Sequence, residues 1–213
     1  SGFNYYKGNY QSTVAVNAYT ATRIFAIGIF TNNTLTGYYA IAEKIALMIQ
    51  TFPMASFSQA IYPRLSRLYV KNKRRAMHFM RKVQDVTALG FVCSVPVIFV
   101  LAPLLIRLAC GAPYPEAILT LRLLLVAVLF VGANAFKIQF LLVSGRADMY
   151  AKIHVTMALA GFVLLFALIG LISYAGAAIA TVVIEGCVFL WTSNVLGDVP
   201  RGDTLGFWQR RNN

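Results

Sequence analysis

Charge is what this chain has least of. Only 12% of its 213 residues are Asp, Glu, Lys or Arg, and acidic residues number just 7. An ordinary soluble domain carries about a quarter charged residues, so the composition argues against a water-soluble fold, and the 59% hydrophobic content excludes disorder. Three cysteines, Cys93, Cys110 and Cys187, lack paired spacing and make neither a disulfide framework nor a metal site. The two histidines, His78 and His154, stand apart from any Cys or carboxylate group and read as structural. No Gly-rich phosphate loop, nucleophile elbow or zincin motif occurs, so catalysis has no visible carrier and neither a metal nor a cofactor is expected.

Long apolar runs, in contrast, are plentiful. At roughly 20 residues per crossing, six stretches qualify as membrane spans: 10–31, 39–62, 88–108, 117–143, 153–174 and 175–196. Backbone in lipid must satisfy its own hydrogen bonds, and the alternation of a membrane barrel is absent, so the expected fold is an all-α membrane protein with six transmembrane helices.

The cations sort by connection. Arg64, Arg67, Lys71, Lys73, Arg74, Arg75, Arg81 and Lys82 crowd a basic loop at 63–87. Arg146 and Lys152 lie between spans four and five, and Lys7, Arg201, Arg210 and Arg211 are in the tails. The other three connections hold only Arg107. Lys and Arg remain on the cytoplasmic side, so both termini and both basic connections are expected inside. This placement, without recognition motif or zinc ligands, excludes nucleic acid as the partner of the net +12 charge. Tyr69, Met77, Phe79 and Met80 suit a helix on the inner leaflet, with membrane lipids as its partner; docking of a cytosolic protein is the rival reading.

Ionisable groups at bilayer depth cost several kcal/mol unless a cavity or partner receives them, roughly 3 kcal/mol on insertion scales, which makes them functional candidates. Arg23 leads, with Thr13, Asn17 and Thr20 in the same sector of the first span; its expected place is the wall of a hydrated cavity. Glu43 and Gln50 share a face of the second span, and Asn134 and Lys137 lie one turn apart in the fourth. Glu185, central in the sixth, is either a proton-coupling site or a buried interhelical hydrogen-bonding group. Arg122 and Lys44 can snorkel to headgroups. Gly176, Ala177, Ala178 and Ala180 read as a surface for close helix packing. The chain opens on Ser1-Gly2-Phe3 rather than Met and is expected to be a fragment or a processed piece.

An ordered series of segments carries a family likeness. Gly37-Tyr38-Tyr39-Ala40-Ile41-Ala42-Glu43-Lys44-Ile45 opens the second span and Ser58-Gln59-Ala60-Ile61-Tyr62-Pro63-Arg64-Leu65-Ser66 closes it. Leu121-Arg122-Leu123-Leu124, Asn134, Ser144-Gly145-Arg146 and Gly176-Ala177-Ala178-Ile179-Ala180 leading to Glu185 follow in order. Together they resemble the C-terminal half of Wzx-type polysaccharide (O-antigen) flippases, in the multidrug/oligosaccharidyl-lipid/polysaccharide exporter superfamily.

The resemblance implies a bacterial inner-membrane transporter that moves undecaprenyl-pyrophosphate-linked oligosaccharide between leaflets for surface polysaccharide biosynthesis. It implies one lobe, residues 1–213, of a two-lobed alternating-access machine, with a missing N-terminal lobe and a polysaccharide polymerase as partners. Arg23, Asn17, Glu43, Gln50, Asn134 and Lys137 would line its cavity. Two rival readings remain: a multidrug exporter of the same superfamily, and a membrane scaffold for glycan-assembly enzymes. Intramembrane Arg23, Lys44, Arg122 and Lys137 outnumber Glu43 and Glu185, which favours an anionic cargo over a cationic drug.

Overall fold

The computed structural model describes residues 22–144 and 146–197, and these are helical throughout, with no strand among them. A short helix, α1, covers 22–30; then come α2 (Asn33–Lys71), α3 (Lys73–Cys110), α4 (Pro115–Val143) and α5 (Ala147–Gly197). The boundaries follow from local chemistry. Asn32 caps α2 by accepting from the Leu35 amide at 2.8 Å. Gly111, at φ +78°, ends α3 in the left-handed conformation that costs glycine nothing. Pro115 opens α4, where its missing N–H would have had no partner.

α5 is two antiparallel limbs. Ile172 leaves helical geometry and Ser173 sits at φ +58°, ψ −142°, so the chain reverses there. Ile153 and Met157 of the first limb pack with Ile184, Val188 and Trp191 of the second. The turn is tight enough that a Cβ on Gly176 would lie 2.2 Å from the Leu168 carbonyl oxygen. Ala177, Ala178 and Ala180 are all fully buried, as the small-residue surface required.

Three helices among the described residues, α3, α4 and α5, are long and apolar enough to cross a membrane, in place of the six expected spans. The expected fifth and sixth spans fall together on α5, with the reversal at Ile172–Ser173 rather than after Tyr174. α2 is too polar to qualify over any stretch, because Glu43, Lys44 and Gln50 interrupt it. The first span is described only from residue 22.

α4 is the central helix, 44% of its apolar stretch buried against 22% for α3 and for α5. Outward faces carry Val92, Val100, Leu104 and Leu108 of α3 and Leu159, Val163 and Leu171 of α5, all exposed. Apolar exposure on this scale marks a surface covered by lipid or by another protein surface. Tyr38 and Tyr114 stack at 4.5 Å at the end opposite the basic residues, where amphipathic rings suit a membrane–water boundary.

The basic segment 63–87 is not a loop. α2 and α3 run through it as a helical hairpin broken only at Asn72, which ends one helix and caps the next by accepting from the Arg75 amide at 3.0 Å. At 1.5 Å per residue, α2 is about 58 Å long, nearly twice a hydrocarbon core, so the hairpin extends past the apolar bundle. Tyr69, Met77, Phe79 and Met80 pack against the bundle, a correction to the leaflet reading, while Val70 and Val86 stay exposed. Met80 is buried with Leu65 and Ala76 against Phe136, Phe140 and Leu141, and Tyr69 meets Phe140 edge-on at 5.8 Å. Arg64, Arg67, Lys71, Arg74, Arg75, Arg81 and Lys82 remain exposed.

Candidate functional site

Arg23 presents the first surprise. It is 6% exposed, and its guanidinium forms an ion pair with Glu43, itself 5% exposed. Its other terminal nitrogen donates to Thr181 Oγ1 at 2.6 Å, and that hydroxyl donates onward to the Ala177 carbonyl at 2.9 Å. Helix periodicity explains the placement: Arg23, Ala26 and Ile27 form the inward face of α1, while Phe25, Ile29 and Phe30 point out. Arg23 thus ties α1 to α2 and to the second limb of α5. It lies inside the bundle rather than on an open wall.

Of the remaining described sequence-predicted residues, Glu185 approaches it and the rest do not. Gln50, two turns beyond Glu43, is half-buried. Glu185 sits one turn beyond Thr181, half-buried and within electrostatic reach of Arg23. Asn17, with Thr13 and Thr20, lies outside the described residues. Asn134 is buried with its side-chain oxygen lacking a hydrogen-bond partner among the described residues.

Lys137 forms a second centre. Its ammonium donates to Ser193 Oγ at 2.8 Å and stands 4.0 Å from the Phe189 ring centroid, while Ser193 donates to the Phe189 carbonyl at 2.6 Å. Thr181 and Ser193 therefore do the same work on one limb: each gives its proton to a carbonyl one turn back and its lone pair to a cation. Twelve residues separate them, about 18 Å along the axis and about 120° around it. The cations serve two sites on different faces.

Two polar links had no evident signal in the sequence pattern. Gln84 of α3 is buried and bridges the backbone of α4, donating to the Gly132 carbonyl at 3.2 Å and accepting from the Phe136 amide at 3.1 Å. Those two groups are the i and i+4 partners of an ideal helix, so the amide is spliced into the α4 ladder. Gly132 makes room for α3: a Cβ there would lie 2.5 Å from the Phe91 ring. Arg122 does not simply snorkel either. Its Nε donates at 3.3 Å to the Phe99 carbonyl and its guanidinium lies over the Phe99 ring at 4.9 Å. Pro103, four residues on, has no N–H to occupy that carbonyl, so the arginine takes the vacant acceptor.

Comparison with known proteins adds what geometry cannot. A family model described as "Polysaccharide biosynthesis protein" matches residues 3–119, which takes in Arg23, Glu43 and the basic hairpin. The curated protein named "Putative O-antigen transporter" of Escherichia coli (strain K12) is 25% identical over 177 residues, covering 82% of this chain and 42% of that protein. The chain therefore spans about two-fifths of the length of the curated relative it matches. No solved structure matches.

Proposed function

Since this chain belongs to the polysaccharide biosynthesis protein family, we propose that it is the C-terminal lobe of a flippase that carries undecaprenyl-pyrophosphate-linked oligosaccharide across the bacterial inner membrane. The ordered likeness to an O-antigen transporter over 82% of the chain carries this reading. Six crossings, both termini in the cytoplasm, and a second lobe completing the cleft belong to the same proposal. The hairpin form of α5, with two limbs each about a bilayer long, supports the even number of crossings. Transport of this kind needs no covalent step. It needs a polar path for a diphosphate and glycan that hydrocarbon rejects, and a rigid body that rocks against its partner.

The buried Arg23–Glu43–Thr181 cluster supports the rigid body rather than the path. A buried pair adds little net stability but fixes which faces meet, and this one locks three helices in register. With Arg23 neutralised by Glu43, Lys44, Arg122 and Lys137 still outnumber Glu185, so the surplus charge continues to favour an anionic cargo.

Complementation tests the proposal. In bacteria lacking their own O-antigen flippase, the chain supplied with its complementary lobe should restore surface polymer, read by lipopolysaccharide ladders. Absent polymer at normal membrane abundance overturns the reading, and acquired resistance to cationic dyes in the same cells would point to the drug exporter. Retention of glycan-assembly enzymes that depends only on the Arg64–Lys82 cations would point to the scaffold.

A further inference from the structure

A cavity of about 240 Å³ opens beside Lys137, at the end of the bundle that carries the basic hairpin. That space is well above what a single bound water needs. Its mouth is formed by exposed Arg81 and Asp85 of α3, and Lys137 and Ser193 form the polar wall. Met77, Met80 and Leu196 supply its apolar lining.

The charges do not cancel. Asp85 acts electrostatically on Lys137 yet lies beyond ion-pair distance. An ammonium has three donors; Ser193 takes one, and its own proton is committed to Phe189. Lys137 therefore has N–H groups to offer, and the Arg81 guanidinium presents up to five more at the mouth. Gln84 cannot compete, since both ends of its amide are engaged by the α4 backbone. The site combines two donor-rich cations with an apolar wall of adaptable thioether side chains.

We propose that this cavity binds the phosphate group of a lipid, with Lys137 and Arg81 on the anionic oxygens and the first part of the chain against Met77, Met80 and Leu196. The recognition chemistry is a phosphate or diphosphate ester on an apolar stem, whether that lipid is a transported cargo or a resident phospholipid. The inference therefore stands apart from the transport reading.

The test uses the whole chain in phosphate-free maltoside detergent micelles, measuring binding of inorganic pyrophosphate, phosphatidylglycerol and undecaprenyl diphosphate in turn. Lys137→Gln and Arg81→Gln should each weaken binding tenfold or more, the loss expected of one charge-assisted hydrogen bond. Arg107→Gln, at an exposed position at the far end of α3, should leave it unchanged. Tighter binding of undecaprenyl diphosphate than of phosphatidylglycerol assigns the cavity to cargo, and equal binding of both assigns it to bilayer phosphate; either outcome supports the site. Unchanged affinity in Lys137→Gln with an unchanged thermal midpoint overturns the proposal, as does pyrophosphate binding as tightly as both lipids. Loss of binding with normal polymer export keeps the site and separates it from transport.

Discussion

Glu43 shows how a single side chain decides the meaning of a charge. Without it, Arg23 would lose its ion-pair partner inside an apolar bundle. Glu43→Leu is expected to destabilise the lobe by about 3–5 kcal/mol, the cost of stranding a buried partner. The double variant Arg23→Met/Glu43→Leu should recover most of that loss, because well-packed apolar residues replace a buried pair at little cost. Thermal unfolding in detergent measures both, and equal destabilisation of single and double variants would contradict the ion-pair account. Gln84 is a second such residue. Gln84→Leu removes two hydrogen bonds to α4 and should cost about 1–3 kcal/mol. Hydrogen exchange should locate the loss at the Phe136 amide, which the Gln84 oxygen holds at 3.1 Å.

At the scale of elements, the reversal inside α5 turns an over-long helix into a hairpin. Two residues bear the strain and the crowding. Ser173 occupies a positive-φ conformation natural to glycine, so Ser173→Gly should stabilise the turn by about 1 kcal/mol. Gly176 has backbone against it, which cannot step aside as a side chain would. Gly176→Leu should therefore force the limbs apart, read as lost protease resistance between Ile169 and Ala180. The α2–α3 hairpin is the complementary case, in which Asn72 alone separates helices of 39 and 38 residues. Their apolar faces close on Phe136 and Phe140, while the cations point outward.

For the whole molecule, the native cysteines report the surroundings. Cys93 and Cys187 are exposed on helices long and apolar enough to cross a membrane, so acyl chains are the expected surroundings. A membrane-soluble maleimide should label both, whereas a charged thiosulfonate should spare them and label Arg74→Cys on the basic hairpin. Peptide mass spectrometry resolves the sites. Labelling of Cys93 by the charged reagent at the Arg74→Cys rate would contradict the membrane placement of α3.

The sequence alone determined the solvent, the helical class and the uneven distribution of cations, because each follows from hydrophobic length and from the cost of taking charge out of water. It also marked the ionisable residues worth attention, since charge at depth stands out without knowledge of packing. Tertiary structure decided their partners. Periodicity placed Arg23 and Glu43 on polar faces of separate helices, but only packing turned those faces toward each other, so an expected cavity wall became a buried pair. Likewise it divided the expected single cavity into two centres about 18 Å apart, because rise and rotation along α5 carry Thr181 and Ser193 to different neighbours. Gln84 was invisible for the same reason: an amide in a basic stretch becomes part of another helix's hydrogen-bond ladder only when that helix lies beside it.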